Sequence, residues 1–117
     1  MAREPQDDCL FCKIVAGRIP ATVVKETETT VAFRDINPQA PTHILVIPKV
    51  HYPDAASLAA AEPAVAADIL RHAGEVAAEE KLDSYRIVCN TGSGAGQTVF
   101  HAHAHLLGGR GLEWPPG

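Results

Sequence analysis

The chain has 117 residues, 46% of them hydrophobic and 21% charged, with a formal net charge of −4. A domain of that length buries roughly two-thirds of its unfolded surface, which excludes a disordered or low-complexity chain. The acidic balance argues against partners such as nucleic acid or an anionic membrane, both of which need a basic face.

No apolar run approaches the roughly 18 residues that span a bilayer. The start, Met1-Ala2-Arg3-Glu4-Pro5-Gln6-Asp7-Asp8, is polar and lacks the apolar stretch of a signal peptide. The expectation is a flexible segment over 1–8 and a single domain over 9–117 in a cytoplasmic protein. Three cysteines cannot complete a disulfide framework, and Cys9-Leu10-Phe11-Cys12 has a spacing suited to metal or redox chemistry.

In chain order, Asp8 can cap a short helix that ends at Gly17, with Arg18-Ile19-Pro20 closing it. Thr22–Lys25 and Thr30–Phe33 are rich in β-branched residues and read as an antiparallel hairpin. Asn37–Pro41 is a loop because two prolines deny ladder donors, and Thr42–Ile47 is a third strand. Asp54–Glu80 is alanine-rich and helical, with Pro63 in the first turn of the longer helix. Val65, Ile69, Ala73, Val76 and Ala77 form its apolar stripe, which places His72 on the exposed side. Tyr85–Cys89 and His101–Leu107 complete the strands, with Cys89 expected in the core. The order lacks a βαβ rhythm and predicts an α+β fold: an antiparallel five-stranded sheet with one long and one short helix.

The densest chemistry is Val99-Phe100-His101-Ala102-His103-Ala104-His105-Leu106-Leu107. On a strand, His101, His103 and His105 share one face, while Ala102, Ala104 and Leu106 point to the other. Three buried imidazoles in a row are costly unless they have work to do. They could bind a catalytic zinc, or one could be a nucleophile with its neighbours holding the reacting group. The preceding Asn90-Thr91-Gly92-Ser93-Gly94-Ala95-Gly96-Gln97-Thr98 lets backbone N–H groups approach an anion. Next to a histidine strand, that loop favours phosphorus chemistry. A nucleophilic imidazole must be neutral, and its ordinary value near 6.5 predicts activity falling below about pH 6.

His101-Ala102-His103-Ala104-His105-Leu106-Leu107 resembles the His-φ-His-φ-His-φ-φ signature of the histidine triad superfamily. Phe33-Arg34-Asp35-Ile36-Asn37-Pro38-Gln39-Ala40-Pro41-Thr42-His43-Ile44-Leu45-Val46-Ile47-Pro48-Lys49 is similar to the Hint branch, as are Gly94–Thr98 and Trp114-Pro115-Pro116-Gly117. The resemblance runs from about Cys9 to the C-terminus. It implies a nucleotide hydrolase that cleaves purine nucleoside phosphoramidates and related nucleoside monophosphate conjugates through a nucleotidyl-histidine. Dinucleoside polyphosphate hydrolysis and non-enzymatic nucleotide binding are the alternatives. The transferase branch carries glutamine at the position of His105, so histidine there points to hydrolysis.

By the same resemblance His103 is the nucleophile, His105 contacts the α-phosphate, and Thr98 donates a hydrogen bond to the phosphate or leaving group. His43 supports them. Asp35 takes the ribose hydroxyls; Phe11, Ile14, Ile36 and Val88 form the base slot; Asn90 and the Gly96-Gln97 backbone hold phosphate. The resemblance also implies a homodimer with a continuous ten-stranded sheet, in which the Trp-Pro-Pro-Gly tail reaches the partner's site. Cys9 and Cys12 read as half a zinc site, a reduced unligated pair, or a redox pair. Some members complete such a site with residues matching His51 and His101. That would give a closed structural zinc, with no metal required for the chemistry.

Overall fold

The computed structural model describes residues 8–117; of the expected N-terminal segment, only Asp8 falls within it. In chain order the elements are α1 (Leu10–Val15), β1 (Val23–Glu26), β2 (Thr30–Arg34), β3 (Thr42–Pro48), α2 (Ala55–Ala61), α3 (Pro63–Glu79), β4 (Tyr85–Val88), a 3-10 turn at Ser93–Ala95, and β5 (Ala104–Gly108). The strands form one antiparallel sheet in the order β1-β2-β3-β5-β4. This is the expected α+β architecture.

Period-two alternation sorts the sheet into two faces. Ala32, Ile44, Val46, Ala104 and Leu106 turn toward α3 and pack with Ile69, Ala73, Val76 and Ala77. Val31, Phe33, Leu45 and Ile47 turn the other way and pack with Phe11 of α1. The central strand β3 is therefore buried along its whole length, because both of its faces are covered.

Several expectations are corrected. Cys9, not Asp8, caps α1: its backbone is extended and its Sγ accepts the Cys12 N–H at 3.3 Å. The alanine-rich segment is two helices broken at Glu62, which has φ −140° and ψ 73°. The ring of Pro63 disfavours helical geometry in the residue before it. Paired β5 begins at Ala104, so His101 and His103 lie in the unpaired approach to it.

His72 is buried, not exposed, at 2% accessibility. Its Nδ1 lies 2.6 Å from Thr30 Oγ1 of β2, and its Nε2 has no partner among the described residues. The apolar stripe is wide enough to swallow it, and the threonine hydroxyl satisfies one ring nitrogen. Cys89, expected in the core, is exposed, because β4 ends one residue earlier. Among the described residues no helix is long and apolar enough to cross a membrane.

Candidate active site and metal centre

The approach to β5 keeps the alternation that the strand begins. Ala102 joins the core under α3, and the imidazoles of His101 and His103 lie against Phe11 on the other face. The Phe11 ring meets His103 edge-on at 5.1 Å, and His103 meets His105 at 4.9 Å. A cavity of about 310 Å³ opens beside them, within the range of small-molecule sites. Phe11, Ile14, Asp35, Ile36, Thr98, His103 and His105 all line it. Seven of the residues expected to bind nucleotide are thus brought together.

Other expected residues stand apart from that cavity. Val88 is paired with His105 across the sheet but lines a separate depression with Leu107, Pro115 and Pro116. Asn90 follows β4, and its amide nitrogen lies 4.0 Å from where a Cβ on Gly96 would stand. The Gly96 and Gln97 N–H groups donate to the Ser93 and Gly92 carbonyls. Gly92 and Gly96 have φ of 90° and 95°, a region that side chains disfavour, so this tight loop needs them. The Gln97 side chain is the loop's anchor. Only 2% exposed, it accepts from the Gly92 N–H and donates to the Pro53 and Val99 carbonyls. Nothing in the local pattern announces this role, since its partners are backbone atoms.

Backbone partners also assign the histidine tautomers. His103 Nδ1 lies 2.7 Å from the His101 carbonyl, which can only accept. The proton therefore sits on Nδ1, and Nε2 carries a lone pair. His43 is the mirror case: the Gln39 N–H donates to its Nδ1 at 3.0 Å, so its proton sits on Nε2. His43 Nε2 lies 2.9 Å from His105 Nδ1 and 3.5 Å from Asp35 Oδ2. Two N–H groups cannot face each other at 2.9 Å, so His105 accepts at Nδ1 and carries its own proton on Nε2. The site thus holds an imidazole lone pair on His103 beside an imidazole N–H on His105.

Burial keeps these rings neutral. It lowers His103 and His43 below the ordinary imidazole value, and it pushes His105 down to about 4 with the help of His103 and His43.

Behind the histidines, Cys9, Cys12, His51 and His101 bring four donor atoms within 4.8 Å of one another. His101 Nδ1 lies 3.4 Å from Cys9 Sγ, 3.5 Å from Cys12 Sγ and 3.2 Å from His51 Nδ1, and Cys12 Sγ lies 3.3 Å from His51 Nδ1. A tetrahedral zinc with ordinary bond lengths has edges of about 3.3 Å between nitrogens and about 3.5 Å between nitrogen and sulfur. The donor set fits such an ion. His101 Nε2 donates to the Pro48 carbonyl at 2.9 Å, which leaves Nδ1 unprotonated and aimed at the cluster. Burial, with His51 and His103 nearby, pushes His101 down to about 4.

The HIT domain family matches residues 16–112 of this sequence. The chain belongs to the HIT, or histidine triad, family. A 14 kDa zinc-binding protein of Zea mays is 52% identical over 112 residues, covering 92% of this chain and 87% of the maize protein. The crystal structure of a HIT family hydrolase from Legionella pneumophila is 52% identical with a TM-score of 0.90, covering 94% of this chain and all of that one (100%). A histidine triad nucleotide-binding protein from Candida albicans is 34% identical with a TM-score of 0.81, covering 92% and 83%. The histidines of the HIT signature are the ones that converge here on the cavity and on the cysteine cluster.

Proposed function

We propose that this HIT protein is a nucleotide hydrolase that cleaves purine nucleoside phosphoramidates and related nucleoside monophosphate conjugates through a nucleotidyl-histidine intermediate. One observation carries this reading: His103 lines the cavity, and its Nδ1 is tied to the His101 carbonyl, which leaves Nε2 unprotonated. Such a nitrogen can attack phosphorus, forming an N–P bond as the P–N bond to the leaving amine breaks and that amine takes a proton from solvent. The His101 carbonyl stabilises the charge that the ring acquires. His105 offers its Nε2–H to a phosphoryl oxygen, backed by His43 and Asp35. Water then attacks the phosphorus and gives a proton back to solvent, and His103 leaves as the neutral imidazole it was.

In the same reading the base lies between Phe11, Ile14 and Ile36, Asp35 holds the ribose, and Thr98 donates its hydroxyl near the phosphate. The name of the Candida protein supports a nucleotide as ligand. Val88 and the tail complete the site only in a homodimer, in which two β4 strands extend the sheet to ten. The edge of β4, which has no strand partner among the described residues, supports that assembly.

Zinc is the metal that suits Cys9, Cys12, His51 and His101, and the maize relative's name supports it. It would supply folding free energy, not a nucleophile, because four protein donors leave no open position. The test is rapid quenching of a turnover with labelled adenosine phosphoramidate. Label bound covalently to His103 is expected. Turnover through a free His103 throughout would contradict the mechanism.

A further inference from the structure

The metal cluster and the catalytic cavity are built from shared parts. The six-residue α1 is too short to be stable by itself. Cys9 and Cys12 turn one side of it to the cluster, and Leu10, Phe11 and Ile14 turn the other to the cavity. Phe11 sits between the cysteines in sequence and edge-on to both His101, at 5.9 Å and 71°, and His103, at 5.1 Å and 88°. His101 also serves twice: its ring belongs to the cluster, and its carbonyl holds the Nδ1–H of His103 at 2.7 Å.

We infer that a metal at Cys9, Cys12, His51 and His101 positions the nucleotide pocket, with Phe11 and His101 as the positioning residues, so that metal and nucleotide bind cooperatively. The inference rests on the nucleotide pocket and metal centre proposed above. With the cysteines held, α1 presents a finished wall, and a nucleotide need not order it. Without them, the nucleotide must fix α1 and the Phe11 ring as it binds, which weakens it. Coupling between binding sites is reciprocal, so a nucleotide must tighten the metal by the same factor. The metal touches no reacting atom; its effect reaches the pocket through Phe11 and His101.

The experiment measures AMP affinity by calorimetry on metal-loaded and chelator-stripped protein. It also measures Co²⁺ affinity by chelator competition with and without AMP, with circular dichroism following the fold. AMP should bind about 5-fold or more tighter to the loaded form, and AMP should tighten Co²⁺ by the same factor. Phe11→Ala should still take one Co²⁺ yet lose the linkage.

If the stripped protein unfolds, the comparison is made by competition alone, with AMP at about 100 times the Kd of each variant. Coupling through global folding gives equal shifts in wild type and Phe11→Ala under that condition, because saturation contributes equally. Equal shifts overturn the inference, and a shift lost in Phe11→Ala supports it. Stoichiometric Co²⁺ with equal AMP affinity in both forms overturns the inference alone. No Co²⁺ bound, or no AMP bound to either form, overturns the reading beneath it as well.

Discussion

Two clusters of donor atoms lie on the same face of the sheet. Cys9, Cys12, His51 and His101 form one; Asp35, His43 and His105 form the other. By ligand type either could hold a cation. The difference lies in the backbone atom behind each ring. A carbonyl, from Pro48, stands behind His101, so the proton is drawn outward and the inward nitrogen keeps a lone pair. An N–H, from Gln39, stands behind His43, so the inward nitrogen must carry the proton. The first cluster therefore suits a metal, and the second holds a proton poised toward His105. Residue types alone do not separate the two; the hydrogen-bond partner of the far nitrogen does.

The largest effect is expected at His103, whose tautomer is fixed by the same carbonyl device. His103→Ala should lower turnover by ~10³-fold or more while leaving bound metal and fold unchanged, as checked by steady-state rates, metal analysis and circular dichroism. Next comes the cluster itself. Cys9→Ser combined with Cys12→Ser should take zinc content from one per chain to none and lower Tm by roughly 5 °C or more in calorimetry.

A sharper cut is Gln39→Pro, which removes the amide that locks His43. With Nδ1 free to carry the proton, Nε2 can ligate. Titration with Co²⁺ should show one equivalent for wild type and a second, weaker one for this variant. A wild type that binds two equivalents would break the contrast between the clusters.

The smallest effect is in pH dependence. Burial lowers His43, His72, His103 and His105 in the folded state, so the unfolded chain takes up protons first as the solution is acidified. Stability contributed by these neutral rings is complete above about 6.5 and is lost as pH falls toward about 4, the value of His105. Denaturant melts at pH 7 and pH 5 should show a lower midpoint at pH 5. The same depression moves the acid limb of the activity profile below the pH of about 6 that an ordinary imidazole predicts. A limb at 6.5 would mean that the rings are not desolvated.

Much of this was legible in the sequence because it is carried by period. Alternation in 101–107 assigned the histidines to one face and Ala102, Ala104 and Leu106 to the core. Pro63 marked a helix start, and Cys9-x-x-Cys12 marked two thiols whose spacing suits a metal, which lie together with His51 and His101. Reading was poorer wherever a residue's surroundings come from distant backbone. His72 looked exposed on a helical wheel, but β2 supplies Thr30 to receive it. Cys89 looked buried because the strand seemed one residue longer. The carbonyls of Pro48 and His101 and the amide of Gln39, which decide what each imidazole can do, have no signature in residue identity. The anchoring of the glycine loop by Gln97 escaped for the same reason.

The most direct test of the account is the tautomeric state of each ring, read from side-chain ¹⁵N shifts and long-range proton couplings in the ligand-free protein at neutral pH. The account predicts that His103 is protonated at Nδ1 with Nε2 bare, and that His43 and His105 are protonated at Nε2. A proton on Nε2 of His103, or on Nδ1 of His43, would contradict it.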